Sequence, residues 1–304
     1  MLDLSYDYAA CTRNSEKVAW KVDDVMPPET RLDFSRPFLP GPLTGSGHVP
    51  FLSASERLKL NQINGNAYIN LFAFVEEYIV ATAVNHAQAE MFGDHDAIRA
   101  LVRFADEEIK HQQLFWRYLV AFKRDFDRPC DVLGSPAAVA QVILSKSAMA
   151  VMMVTLHLEI MTQAHFTESV RPDTDLDPLF ASLLKHHWLE ESQHARIDAL
   201  ELDKLMSQSN AEQIKKAFSD YLELIDAFDG LLAKQATFDA ESLGRVLERT
   251  FTDEETRQIV AAQHAGYRQT FLVSGMVNPL FTRVLGKMAP DGAALVAKKA
   301  VSLG

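Results

Sequence analysis

Apolar residues recur at three- and four-residue intervals through four long stretches of the chain, the spacing of helices that bury one face. The first opens at Ser53-Ala54-Ser55-Glu56, a capping box in which hydroxyl and carboxylate each satisfy a backbone N–H, and runs to about Met91, before Gly93. Asp94 or Asp96 caps a second helix that reaches about Arg124, short of Pro129. Ser135-Pro136 starts a third, with proline at the first helical position, ending near Arg171-Pro172. Asp177-Pro178 starts a fourth that ends near Ser207. Weaker helical patterns follow at about 210–235, 240–249, 252–284 and 291–301, and Thr252 to Glu255 forms another capping box. No β-rich stretch, short-period repeat or low-complexity tract interrupts them.

Prolines set the first 52 residues apart. Pro27, Pro28, Pro37, Pro40, Pro42 and Pro50 lie there, with Gly41, Gly45 and Gly47 among them. The segment is expected to be irregular, and Trp20, Phe34, Phe38 and Phe51 favour packing over the rest of the chain. Residues 53–304 then read as one helical domain, with a bundle over about 54–207 and further helices over about 208–304. The expected class is all-α: an antiparallel four-helix bundle with an N-terminal irregular segment and additional C-terminal helices.

Polar residues interrupt the apolar stripes at particular places. The second helix turns Leu101, Phe104, Glu108, His111, Phe115 and Leu119 inward. The fourth turns in Phe180, His187, Glu191, His194 and Asp198. The third places Glu159 on the stripe of Ala148, Met152 and Phe166, and the first surrounds Glu76 with Phe72, Ala73, Ile79 and Val80. Two helices therefore offer Glu-x-x-His, and residues three apart share a helix face. Four buried carboxylates without positive charge would be prohibitive, whereas two divalent cations balance them. This donor set is the pattern of ferritin-like di-iron and di-manganese bundles. Glu76 and Glu77 are adjacent, so only one points at the core centre; Glu76 lies nearer the middle of the apolar arc, and Glu77 is the alternative. His187 is either a further ligand or a core histidine. Asp198, one turn beyond His194, is placed to accept the other N–H of a metal-bound imidazole. His86 and His95 should be exposed and His186 should point away. His157, two residues before Glu159, should face another side, His165 and His264 read either as core groups or as groups just beyond the metal ligands, and Met149, Met152, Met153 and Met161 read as packing.

Composition narrows the classes. Of 304 residues, 48% are hydrophobic and 23% charged, enough for a sizeable core. The net charge of −11 and a pI near 5.4, without a basic cluster, argue against nucleic acid and anionic membranes as partners. Cys11 and Cys130 are the only cysteines, too few for a thiolate metal site or a disulfide framework. The stretch Met1 to Asp7 is acidic and lacks a basic signal region. The apolar run Ala148–Ile160 is broken by Thr155, His157 and Glu159 and is too short to span a bilayer. A cytoplasmic location is expected.

Taken together, Glu76 or Glu77, Glu108-x-x-His111, Glu159 and His187-x-x-x-Glu191-x-x-His194 resemble the p-aminobenzoate N-oxygenase family of di-iron amine oxygenases, which carries an additional histidine ligand in its last ligand-bearing helix. The likeness runs over about residues 55–205 and includes no motif for substrate contacts. It implies two iron ions per chain, with manganese as the alternative metal, and O2 as co-substrate. It also implies a peroxo-diferric oxidant and a primary amine as acceptor, aryl or alkyl, free or tethered to a carrier protein. His187 would be a seventh ligand. The chain has no Gly-rich dinucleotide motif and no cysteine cluster, so electrons should come from an external donor. A monomer or homodimer fits an enzyme, and a large cage would fit storage. A di-iron C–H hydroxylase or desaturase, or a ferritin-like iron-binding protein, are the competing readings.

Overall fold

A computed structural model describes residues 7–304. Most of the acidic N-terminal stretch, residues 1–6, lies outside the described residues. Among the described residues the chain is helical throughout, with no strand.

The N-terminal segment is more regular than its prolines suggest. Helix α1 (Tyr8–Val18) is capped by the Asp7 side chain, which accepts from Ala10 N at 2.6 Å, and α2 is one turn, Val22–Val25. The expectation of an irregular segment therefore fails for this first part, which precedes Pro27. The remainder, from Pro27 to Leu52, crosses the bundle as a strap. Asn61 pins it by accepting from the N–H groups of Phe38 and Leu39 and donating to Leu39 O. Phe38 stacks on Phe180 at 5.3 Å. Gly65 permits this approach, since a Cβ there would stand 2.8 Å from Cβ of Phe38.

Helix α3 (Ala54–Ala89) begins at the capping box of Ser53 and Glu56, and α4 (His95–Asp125) at Asp94. A short turn joins them, so they pack side by side and antiparallel. An 18-residue window of α3 has a mean hydropathy of 1.4, which makes this helix, rather than Ala148–Ile160, long and apolar enough to cross a membrane. Two-thirds of that window is buried inside the protein, as befits a core helix.

The expected third helix is two. Helix α5 (Pro136–Leu144) ends at Ser145, and α6 (Ala148–Ala164) starts after Ser147, whose N–H donates to Asp220 Oδ2 at 3.0 Å. That long-range hydrogen bond fixes a break which local periodicity does not require. A π-turn, His165–Val170, follows α6. Helix α7 (Pro178–Ser207) is capped by Asp177. The link from α4 to α6 is thus a long crossover containing α5, not a short loop. Helices α3, α4, α6 and α7 form the bundle, with α3 against α4, α6 against α7 and α4 meeting α7.

Beyond the bundle, α8 (Ala211–Leu247) is continuous where two helices were expected. Gln235 and Asp239, one turn apart, hydrogen-bond at 2.8 Å through the supposed gap, and no Gly or Pro lies between Gly230 and Gly244. The expected helix 252–284 is instead α9 (Asp253–Tyr267), a π-turn (Arg268–Val273), α10 (Ser274–Met276) and α11 (Pro279–Met288). Asn278-Pro279 restarts the helix. Helix α12 (Pro290–Leu303) closes the fold.

Candidate metal centre

Glu76 on α3, Glu108 and His111 on α4, and His187, Glu191 and His194 on α7 meet in the middle of the bundle, all buried. Ligand-type atoms of Glu76, His111, His187 and Glu191 lie within 4.8 Å of one another, and so do those of Glu108, His111, Glu191 and His194. The two groups share His111 and Glu191, which is the layout of two adjacent cation positions. Glu77, one residue along α3, is only half-buried and belongs to neither group. Glu159 on α6 is buried and its Oε2 has no hydrogen-bond partner, but it also lies outside both groups.

The imidazoles show which atoms face the centre. His111 Nδ1 stands 3.1 Å from Glu191 Oε1. His194 Nδ1 stands 2.8 Å from Glu108 Oε1 and 3.3 Å from Glu191 Oε2. Their other nitrogens point outward: His111 Nε2 lies 2.9 Å from Glu190 Oε2, and His194 Nε2 lies 3.1 Å from Glu107 Oε2. A neutral imidazole has one N–H, and an outward N–H given to a carboxylate leaves the Nδ1 lone pair aimed inward. Nitrogen and carboxylate oxygen facing each other near 3 Å need a proton or a metal cation between them; without metal a proton on the imidazole takes that place. His187 presents Nε2 instead, 2.7 Å from Glu191 Oε1 and 3.0 Å from Glu76 Oε1. Its ring is held edge-on between Phe72 and Phe115.

Glu107 and Glu190 form a crossed pair: each α4 or α7 glutamate holds the histidine of the opposite helix. Arg103 and Ser15 complete Glu107, and Lys110 completes Glu190. The inner carboxylates have no such partners. Both oxygens of Glu108, Oε2 of Glu76 and Oε1 of Glu191 are buried without a hydrogen bond. Buried charges of this kind need a compensating cation. Imidazole with carboxylate is a donor set for iron or manganese, not for a thiolate-seeking metal. The residues present therefore fit a pair of divalent cations.

The titration behaviour shows the same crowding. Burial and the neighbouring Glu108 push Glu76 well up. Burial also raises Glu108. In Glu191 burial is outweighed by the attraction of His194 and of the close His111 imidazole, which pull it down to about 2. Burial opposes protonation of His111, yet its bonds to Glu190 and Glu191 lift it to about 9. His187 is driven well down by burial and by His111 and His194, so it is neutral.

Asp198 does not play the part expected of it. It is fully buried, but neither oxygen accepts a hydrogen bond, and Glu107 takes the N–H of His194. The sequence held a signal for this. A second glutamate precedes each motif glutamate, giving Glu107-Glu108-x-x-His111 and Glu190-Glu191-x-x-His194. Other histidines lie elsewhere. His157 bonds Tyr221 at 2.7 Å and His165 bonds Tyr68 at 2.9 Å, each pushed down to about 4 by burial. His264 pairs with Asp229, His186 bonds Ser182 O, and His95 is exposed. His86, expected to be exposed, is half-buried and pairs with Glu201 at 2.6 Å.

No family model and no curated protein matches the chain. Among solved structures it is similar to the R2-like ligand-binding oxidase with aerobically reconstituted Mn/Fe cofactor, at 15% identity and a TM-score of 0.42, over 88% of this chain and 94% of that one. It is also similar to mutants of that oxidase, each at 13% identity and the same coverage. One has an anaerobically reconstituted Mn/Fe cofactor and a TM-score of 0.44; another has a non-activated Mn/Mn cofactor and a TM-score of 0.42.

Proposed function

We propose that this chain is an O2-activating di-iron oxygenase that N-oxygenates a primary amine, with Glu76, Glu108, His111, Glu159, His187, Glu191 and His194 as metal ligands. The observation that carries the reading is the meeting of three imidazoles with carboxylates whose oxygens find no donor. Held by these residues, a ferrous pair would supply electrons for the reduction of O2 and an oxidising equivalent for the substrate. One oxygen atom goes to the amine nitrogen and the other leaves as water, and each turnover takes up two electrons and two protons from outside. Manganese is the alternative metal, and the electrons come from a separate donor.

The chain's own residues arrange the site. Glu107 and Glu190 orient His194 and His111, and Arg103 and Lys110 pair with those glutamates from the outer side. Phe72, Phe104 and Phe115 exclude water beside the imidazoles. Phe72 also lines an apolar cavity of about 50 Å³, with Leu71, Val75, Leu158, Phe228 and Phe271. Its lining is hydrocarbon, as the body of an aryl or alkyl amine requires, but at this volume it takes in only part of such a molecule. The reading is tested with reduced, iron-loaded protein exposed to isotopically labelled O2 and a panel of aryl and alkyl amines. Labelled hydroxylamine, nitroso or nitro product is expected. His187→Ala should depress its formation more than it lowers iron content. Label appearing only in C–H hydroxylation products would favour the hydroxylase reading and overturn this one.

A further inference from the structure

We infer that metal ions reach the centre through the seam between α4 and α7, and that the N-terminal segment Tyr8–Trp20 is the gate over that seam. The inference rests on the pair of cation positions, and not on an amine as the acceptor.

The rings of Phe72, Phe104 and Phe115 wall the ligand imidazoles with hydrocarbon. Toward the seam the lining is carboxylate instead. Glu107 Oε2 stands 3.1 Å from His194 Nε2, and Glu190 Oε2 stands 2.9 Å from His111 Nε2. A cation that sheds water on its way inward needs oxygen donors to replace that water. These two glutamates stand directly outside the ligand histidines and offer such oxygens.

The N-terminal segment closes this opening from outside. Helix α1 packs against both α4 and α7. Its Ser15 hydroxyl donates to Glu107 and accepts from Arg103. Five residues on, the Trp20 ring lies within 10° of parallel to His111, with 5.9 Å between centroids. Lys110, the partner of Glu190, stands 4.4 Å from the centre of the same indole, and His186 meets it edge-on at 5.8 Å. One short segment thus covers both histidine–glutamate pairs.

The same segment is weakly held. Helix α1 buries Cys11, Thr12 and Ser15, of which Cys11 alone is apolar, and the Thr12 hydroxyl is buried without a hydrogen-bond partner. Glu16 pairs with Arg99 at 2.8 Å, but both side chains are exposed and the pair stabilises little. The Tyr8 hydroxyl, which donates to Glu201 Oε1 at 2.7 Å, ties down the start of the helix. Farther along, a cleft of about 330 Å³ opens between Asn14, Lys17 and Val18 on α1 and Trp188, Ser192 and Gln193 on α7. A helix with so little buried apolar surface opens locally at far less cost than the bundle unfolds. Opening lifts Ser15 and Trp20 together and bares Glu107 and Glu190; closing returns the indole to His111. The passage exchanges coordination bonds and water only, and no electron is transferred.

The test uses the full chain, Mn(II) as the probe without O2, and trypsin, for which Arg13, Lys17 and Lys21 are exposed on or beside the segment. Cleavage at Lys17 and Lys21 should precede cleavage within the bundle. Trp20→Ala should quicken that cleavage, and should speed Mn(II) uptake and Mn(II) release to a chelator together by about tenfold or more, because opening precedes both. Affinity, the ratio of the two rates, should change much less. Trp20→Phe keeps a ring over His111 and should restore slow exchange, whereas Ser15→Ala should act in the direction of Trp20→Ala. Each variant is checked for an unchanged melting transition of the bundle. Faster release with unchanged uptake would overturn the gate and leave Trp20 as a support for His111. Uptake and release at the unmodified rates in both Trp20→Ala and Ser15→Ala would overturn it too, as would a segment that resists trypsin as long as the bundle does. If the unmodified chain bound no Mn(II), the metal centre would fall and the gate with it; failure of amine oxidation alone would touch neither.

Discussion

Glu108 and Asp239 are both 0% exposed carboxylates, and their surroundings are opposite. Asp239, on α8, accepts from the amides of Asn64, Gln235 and Gln263 and from the Tyr267 hydroxyl, at 2.5 to 3.2 Å. Glu108, on α4, accepts nothing. A carboxylate that only ties helices together is completed by protein donors, because an unpaired one costs more than its packing returns. A carboxylate left without donors, beside two more of its kind and three imidazoles, is arranged for a cation. The same molecule thus shows what its interior does with acid groups when no metal is involved.

The largest effect should come from breaking the unsatisfied side. The purified protein should carry about two irons per chain, and Glu108→Ala and His194→Ala should each lose most of them by elemental analysis. Full iron occupancy in both variants would sink the dinuclear site. Without metal, Glu108→Ala should melt no lower than the unmodified chain, since it removes a buried charge that nothing satisfies.

Breaking the satisfied side should cost stability and leave metal content alone. Asp239→Ala strands four donors and should lower the unfolding free energy by about 2–4 kcal/mol in urea titrations. The pH dependence sharpens the point. Burial raises the Asp239 carboxyl from 3.8 to about 6, against four hydrogen bonds that lower it. A raised acid binds its proton more tightly in the folded state, so its contribution is fully present below about pH 4 and is lost as pH rises through about 6. The loss amounts to at most about 3 kcal/mol. Asp239→Asn should flatten that part of the stability profile; an unchanged slope would assign it to other groups.

Smaller effects should follow from the glutamates that are paired with cations and stand one step removed from the centre. Glu107→Gln and Glu190→Gln should weaken metal affinity by about 10- to 100-fold in chelator competition, with the fold intact. Equal affinity to the unmodified chain would mean that the crossed pairs do not orient His194 and His111. The smallest change is expected at Glu77. Glu76→Gln should release metal while Glu77→Gln retains it, and equal losses would reopen the choice between them.

Much of the bundle was legible because helices announce themselves locally. Ser53 with Glu56 and Thr252 with Glu255 form the capping boxes that their spacing predicts, and Asp94 and Asp177 cap where expected. Boundaries set by long-range bonds were not legible. Asp220 holds the break at Ser147 from another helix, and the Gln235–Asp239 bond, in a cluster with Asn64 and Tyr267, lies where a gap was expected. The helix α1 was hidden because its polar side faces solvent while Cys11, Thr12 and Ser15 provide a short buried stripe.

By itself the sequence determined that Glu108 shares a helix face with His111, and Glu191 with His187 and His194, because residues three and four apart on a helix stay together in any tertiary setting. It likewise determined that these faces are otherwise apolar and therefore turn inward. Only the tertiary structure decided what crosses from one helix to another. It set Glu76 rather than Glu77 in the cluster and left Glu159 outside the two groups. It gave the His194 N–H to Glu107 instead of Asp198, and left Asp198 over a small void shared with Glu201 and His86. Those outcomes depend on how far each helix is rotated and shifted against its neighbours. A rotation of a fraction of a turn moves a carboxylate by several ångströms, and no periodicity within one helix records it.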